Sequence, residues 1–143
     1  PPDEIVKILV TGASGFVGVH LVRGIAARGL NVVACTFEPS SEEALARIEG
    51  VEALVTWAEL DVRSKGLVET VLREHDVDTI LHAAAVTSAP GVLNAIAAVN
   101  VEGTRHMLGA QSGTRFGVLF FFRRNDRTPF QGRVGQLTHN QFD

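Results

Sequence analysis

The sequence is poor in the residues that would support several classes of protein. A single cysteine, Cys35, excludes a disulfide within the chain and a cysteine-rich metal site, and it fits the reducing cytoplasm, where we place the protein. No apolar run approaches the roughly 20 residues of a membrane-spanning helix, and the short acidic start lacks the form of a signal peptide. The net charge of −3 gives no polyanion-binding surface. We therefore expect neither a membrane nor a nucleic acid as a partner.

Tyrosine is absent and lysine occurs only at Lys7 and Lys65. No phenol is therefore available as a general base. The remaining polar residues form no arrangement typical of a Ser/His/Asp, Cys/His or paired-carboxylate centre, and no spacing typical of a metal site. We assign no catalytic residue and predict no metal.

Apolar runs alternate with helical patterns along most of the chain. Strands are predicted at 5–10, 31–36, 53–60, 79–85 and 117–122, and helices at 16–29, 40–50, 64–76 and 91–111. Val17, Leu21 and Ile25 form the predicted buried face of the first helix. Strands separated by helices favour a parallel sheet covered on both faces. The predicted fold is a doubly wound α/β domain over residues 1–122, with about five strands in the order 3-2-1-4-5.

The alternation stops after Phe122, and residues 123–143 show neither a helical nor a strand period, so we interpret them as an irregular tail. The last predicted strand, "GVLFFF", would lie at the edge of the sheet with three phenylalanines. An uncovered edge is a template for pairing with another chain. We therefore expect either a homo-oligomer formed through this edge or a tail that folds back over it.

The most informative stretch is "TGASGFVG", residues 11–18, which lies between the first predicted strand and the first predicted helix. In that context Gly12 permits a tight turn, Gly15 lets a pyrophosphate approach the main chain, and Gly18 lets the helix pack on the sheet. The helix N-terminus offers free N–H groups to phosphates. A P-loop is excluded because no Lys-Ser or Lys-Thr follows. The alternative is a tight turn that binds nothing.

With this motif the chain resembles the extended short-chain dehydrogenases/reductases, the group of NAD(P)-dependent epimerases, dehydratases and sugar-nucleotide reductases. Three further stretches agree in order and spacing across residues 5–122, namely "LDV" (60–62), "HAAA" (82–85) and "VNVEGT" (99–104). The resemblance implies a Rossmann domain in which a dinucleotide is the partner. The cofactor-binding residues that it and the glycine stretch imply are Gly12, Ala13, Ser14, Gly15, Phe16, Val17, Gly18, Asp61, Val62, Ala83, Ala84, Ala85 and Asn100.

Several of these positions also have a simpler interpretation. Asp61 would hold the adenine amino group by resemblance, but it could equally cap a turn or the third helix. His82 lies in an apolar strand, which favours a hydrogen-bonded interior histidine over a base. Asn100 lies mid-helix, where a hydrogen-bonding duty is expected. Thr87 and Ser88 follow the fourth strand, so they are candidates for substrate contact or ordinary loop residues.

The choice of dinucleotide depends on the end of the second strand. NAD binders usually carry an acidic residue about 20 positions after the glycines, and NADP binders an arginine nearby. That position falls on Thr36, with Glu38 two residues further on and no arginine within residues 29–46. We therefore expect NAD as the cofactor, with NADP not excluded.

The family's catalytic residues, a Ser or Thr after the fifth strand and Tyr-x-x-x-Lys, have no counterpart here. The first would fall near Arg123 or Arg124, and the tyrosine beyond Asp143. Two interpretations follow. The chain is a fragment or altered end of an epimerase, dehydratase or reductase acting on a sugar nucleotide or similar hydroxyl compound, or it is a non-catalytic NAD(P)-binding or redox-sensing module. The abrupt end of the pattern favours the first.

Overall fold

A computed structural model describes residues 6–37, 42–86, 93–110 and 115–118. Five parallel strands form one sheet, and in chain order they are β1 (Lys7–Thr11), β2 (Asn31–Thr36), β3 (Val55–Glu59), β4 (Thr79–His82) and β5 (Arg115–Val118). Their order in the sheet is β3-β2-β1-β4-β5, which confirms the predicted doubly wound topology. The short β-branched runs form strands because such side chains pack well on a pleated surface.

Helices connect the strands. They are α1 (Phe16–Ala26), α2 (Glu42–Arg47), α3 (Lys65–His75), α4 (Leu93–Ile96) and α5 (Thr104–Ala110), with a short 3₁₀ turn at Glu52–Leu54. Ser64 caps α3 by accepting a hydrogen bond from the Leu67 N–H at 3.3 Å. Within the described ranges, no helix has the length and apolar character needed to cross a membrane.

Alternate residues of the strands enter two hydrophobic cores, one on each face of the sheet. Leu9 of β1 and Ile80 of β4 pack with Val68 of α3 and Met107 of α5 on one face. On the other face, Val10 packs in a second cluster with residues of α1 and with Ile48, which follows α2. Burial on both faces explains why these strands are continuous apolar runs rather than alternating ones.

The predicted face of α1 is shifted. Its buried residues are Gly18, Val19, Val22 and Ala26, whereas Val17, Leu21 and Ile25 are only partly buried. The apolar residues at spacing four did not predict which face of α1 is buried. The contact of Gly18 with the preceding turn determines how the first turn of the helix is oriented.

The predicted helix 91–111 is not a continuous α-helix. A π-helical segment, Ala97–Gly103, separates α4 from α5, and its wider turn breaks the 3.6-residue period on which the prediction rested. The strand predicted at 117–122 begins two residues earlier, at Arg115. Residues 119–122, which hold the three phenylalanines of the expected edge, and the tail 123–143 lie outside the described residues, so the expected self-association stays a prediction.

Candidate functional site

The segments that the sequence singles out meet at the carboxyl edge of the sheet. The glycine turn follows β1, Phe37 follows β2, Asp61 follows β3, and residues 83–86 follow β4. β1 lies between β2 and β4, so the chain reverses its direction of winding at the β1–β4 boundary. In open α/β sheets a crevice forms outside the strand ends at such a switch point, and ligands bind there.

The glycine turn is held between two neighbouring backbones. Gly12 has a φ of +65°, and a Cβ on it would lie 2.9 Å from the Cα and N of Ala84. A Cβ on Gly18 would lie 1.9 Å from the carbonyl oxygen of Gly12. Gly12 therefore makes the tight turn that was predicted. The close contact that Gly18 permits is with that turn, whereas the prediction had placed it against the sheet.

The N-terminus of α1 is open to an anion. Its N-cap is Gly15, which makes no side-chain capping hydrogen bond, and the first turn carries no acidic residue. The first N–H groups of a helix have no acceptor within it, and they carry partial positive charge. Ser14, Gly15 and Phe16 are exposed around this end. This combination of free N–H donors and open space suits a phosphate group.

Gly15 and Ala13 contribute differently to this turn. Among the described residues, a Cβ on Gly15 would approach only the Gly12 carbonyl oxygen, at 3.2 Å, so the rest of the described chain leaves the space in front of Gly15 open. Ala13 is fully buried, and its N–H donates to the Cys35 carbonyl at 3.0 Å. Gly15 therefore leaves room for a ligand, whereas Ala13 fixes the turn to β2.

Cys35 is not a candidate nucleophile. Burial raises the pKa of its thiol to about 12, so the thiol stays protonated at neutral pH. The part of the chain that the structure describes also contains no group of three or more potential metal ligands.

A hydrogen-bonded chain runs beneath the crevice through His82, which is 2% exposed. The Thr11 hydroxyl oxygen accepts from the N–H groups of Ala83 and Ala84, both at 3.1 Å, so its hydrogen is donated to His82 Nδ1 at 2.7 Å. The Thr104 hydroxyl donates to the Asn100 carbonyl at 2.7 Å and accepts from His82 Nε2 at 2.9 Å. The neutral Nε2–H tautomer therefore satisfies the contacts of the ring with both hydroxyls. Burial lowers the pKa of His82 to about 4. The prediction of a hydrogen-bonded interior histidine is confirmed.

Asn100 lies in the π-helical segment and binds the chain after β4 at two points. Its Oδ1 accepts from the Val86 N–H at 2.8 Å, and its Nδ2 donates to the Val86 carbonyl at 2.9 Å. The expected hydrogen-bonding duty of Asn100 is thus confirmed, and its side chain acts on the backbone of this loop. Thr87 and Ser88, the candidate substrate residues, lie outside the described residues.

Asp61 closes a turn rather than capping α3. Its Oδ1 accepts from the Arg63 N–H at 2.9 Å, and its two oxygens hold the Arg63 guanidinium, with Nη2 to Oδ2 at 2.8 Å. The hydrogen bond from the Arg63 side chain holds the pKa of Asp61 below its usual range. The following Val62 is buried, and its carbonyl accepts from His106 Nδ1 at 2.9 Å.

The structure thus brings the glycine turn, Asp61–Val62, Ala83–Ala85 and Asn100 to one edge of the sheet. Three residues in this region were missed by the sequence analysis, namely Thr11, Arg63 and Thr104. Thr11 and Thr104 stand inside the quoted motifs "TGASGFVG" and "VNVEGT", so the signal was present but only the glycines and the asparagine were interpreted. Arg63 contacts Phe37, the residue that follows β2, only in the folded chain.

Comparison with known proteins gives the same picture over most of the chain. A model of the NAD-dependent epimerase/dehydratase family matches residues 8–122. A UDP-glucose 4-epimerase from Klebsiella pneumoniae is 25% identical over 130 residues, which is 78% of this chain and 92% of that sequence. A 3 beta-hydroxysteroid dehydrogenase/Delta 5-->4-isomerase from Mycobacterium tuberculosis is 30% identical over 129 residues, which is 90% of this chain and 34% of that protein.

Among solved structures, the Bordetella bronchiseptica enzyme WbmG in complex with NAD and UDP is similar, with a TM-score of 0.65 and 26% sequence identity. The similarity covers 77% of this chain and 35% of WbmG. This chain therefore spans about a third of the length of WbmG and of the mycobacterial relative.

Proposed function

Because the chain belongs to the NAD-dependent epimerase/dehydratase family, we propose that it is the dinucleotide-binding portion of an NAD-dependent epimerase that acts on a UDP-sugar. One observation carries the proposal. The turn at Gly12–Gly18 places open N–H donors and an uncovered Gly15 at the point where the strand order reverses. WbmG, of similar fold, was crystallised with NAD and UDP, which supports both the cofactor and the substrate class.

The residues present fit a bound NAD. The N–H groups at the start of α1 would receive the pyrophosphate, and the open space at Gly15 would admit it. Asp61 and Val62 would bind the adenine, and Ala83–Ala85 would lie along the cofactor. Asn100, through Val86, would hold the loop after β4 in place. NAD itself supplies the hydride acceptor when bound.

The similarity to epimerases and to a steroid dehydrogenase/isomerase favours an origin in an enzyme over a non-catalytic redox-sensing module. The chain's own contribution is to bind and orient the dinucleotide. His82 does not serve as a general base, because both ring nitrogens are engaged by Thr11 and Thr104 and its pKa is low.

Replacing Gly15 with valine is expected to weaken NAD binding at least tenfold while leaving the domain folded. Gly15 has a φ of −72° and a ψ of 168°, which any residue adopts, so the backbone is not strained. The added methyl groups fill the space in front of the turn. Isothermal titration calorimetry measures the affinity, and circular dichroism checks the fold. Gly66→Val is the matched control, because a Cβ on Gly66 meets nothing within 4 Å. Equal NAD affinity in wild type and Gly15→Val would reject the site.

The 143-residue chain is expected to bind NAD without transferring a hydride to or from UDP-sugars. The sequence holds no tyrosine to serve as the family's general base. The measurement follows the absorbance of reduced nicotinamide during incubation with a panel of UDP-sugars. Turnover at an ordinary enzyme rate would show that another residue of this chain supplies the base.

A further inference from the structure

Arg63 and Phe37 form a stacked pair at the carboxyl edge of the sheet, beside the glycine turn. Phe37 directly follows β2, and Arg63 lies in the loop between β3 and α3. Thr36 and Glu59 are partners in the parallel ladder, so the two strands end side by side. The Arg63 Cζ lies 5.1 Å from the centroid of the Phe37 ring, whose residue is 59% exposed. A cation at this distance is held by the aromatic face.

Asp61 fixes the direction of the guanidinium without covering it. Its carboxylate receives hydrogen bonds from Arg63 Nε and Nη2, the first at 2.9 Å and the second at 2.8 Å. Among the described residues, no hydrogen bond or ion pair occupies Nη1, and the Arg63 side chain is 46% exposed. The Arg63 guanidinium therefore has N–H donors that face solvent at this edge, and its positive charge is partly exposed there.

The position that normally carries an acidic residue to reject a 2′-phosphate is occupied here by an uncharged threonine, Thr36. Glu38, two residues further on, lies outside the described residues. An acidic side chain at the end of β2 accepts from the ribose 2′-hydroxyl and repels a phosphate in its place, whereas an arginine nearby accommodates the phosphate. Thr36 occupies that position, is 4% exposed, and carries no charge. The nearest described cation at the ends of β2 and β3 is Arg63, which reaches the end of β2 through its contact with Phe37.

We propose that Arg63, seated on Phe37, forms the subsite for the ribose 2′ position and lets this chain bind NADP as well as NAD. The inference rests on the proposed function, because it assumes that the adenosine half of the cofactor lies at the ends of β2 and β3. It differs from the sequence-based expectation of NAD, which found no arginine within residues 29–46, because Arg63 reaches this edge from the next loop.

Arg63→Gln is expected to weaken NADP⁺ binding about tenfold relative to NAD⁺ binding, the effect of losing one charge-assisted contact with a phosphate. Wild type is expected to bind NADP⁺ within about threefold of NAD⁺. Calorimetric titrations with both nucleotides, and with 5′-AMP and adenosine 2′,5′-bisphosphate, isolate the contribution of the 2′ group. Added salt should weaken the binding of the bisphosphate to wild type more than to Arg63→Gln, because the contact is between partly exposed charges.

Arg73→Gln is the matched control, because it removes the same charge from the exposed last turn of α3. It should leave the ratio of NADP⁺ to NAD⁺ affinity unchanged. Arg63→Lys should recover part of the ratio by restoring the charge without the planar fork. If wild type binds NAD⁺ but rejects NADP⁺, or if Arg63→Gln weakens both equally, the inference is wrong and the proposed function stands. If wild type binds neither nucleotide, both fail together.

Discussion

Replacing Gly18 with alanine is expected to lower the free energy of unfolding by about 3 kcal/mol or more. The new Cβ would lie 1.9 Å from the Gly12 carbonyl oxygen, 2.6 Å from the Gly12 carbonyl carbon and 2.8 Å from the Ala13 Cα. All three atoms belong to the backbone, so no side chain can rotate to relieve the contact. The turn cannot retreat either, because Gly12 already packs closely on Ala84. Urea denaturation followed by circular dichroism measures the change.

Gly66→Ala provides the comparison for Gly18→Ala. Gly66 lies in the first turn of α3, and a Cβ there meets nothing within 4 Å. Alanine at that position should stabilise the protein by up to about 1 kcal/mol through helix propensity and reduced freedom of the unfolded chain. A Gly18→Ala variant whose stability lies within 1 kcal/mol of wild type would show that the turn yields more easily than its close contacts indicate.

The stability of the domain is expected to fall by about 3 kcal/mol as the pH drops from 6.5 toward 4, because His82 must stay neutral in the folded state. Burial lowers its folded-state pKa from 6.5 to about 4. Between these values the unfolded chain binds a proton at this residue and the folded chain does not. The contribution is therefore fully present above pH 6.5 and is lost as the pH falls. Urea denaturation at a series of pH values measures it.

His82→Gln should flatten this part of the pH profile, and it should cost about 2–4 kcal/mol at pH 7 because the hydroxyls of Thr11 and Thr104 lose well-placed partners. His75→Gln removes an imidazole from the end of α3, outside this hydrogen-bonded chain, and should retain the profile of wild type. Carboxylates also titrate in this range, so the difference between the two variants is the quantity to compare. Parallel profiles for His82→Gln and wild type would contradict the assignment.

The architecture could be predicted because its signals are local in sequence. Short apolar runs such as "IVKILV" predict buried parallel strands, and three glycines at fixed spacing predict the turn after β1. Strand order then followed from the handedness and shortness of connections. The same locality explains the correct expectations for His82 and Asn100, whose polar side chains were out of place in an apolar strand and in mid-helix.

The features that escaped prediction depend on contacts between distant segments. Gly103, at the end of the π-helical segment, packs so closely on Val62 that a Cβ on it would lie 2.6 Å from a Val62 methyl group. The periodicity of the sequence does not predict such a contact. Arg63 and Phe37 are separated by 26 positions and meet only because β2 and β3 end together. The rotation of α1 was likewise set by a backbone contact rather than by its apolar pattern.

The hydrogen-bonded chain through His82 has a fixed polarity. At one end the N–H groups of Ala83 and Ala84 can only donate to Thr11, and at the other the Asn100 carbonyl can only accept from Thr104. Reversing the links at His82 would place its ring proton on Nδ1 and leave the Thr11 hydrogen without its acceptor. A proton therefore cannot be passed along this path in either direction, although it consists entirely of hydroxyls and an imidazole. This path through His82 therefore gives no proton route between the crevice and the interior, and a proton exchanged at a bound cofactor would have to follow another route.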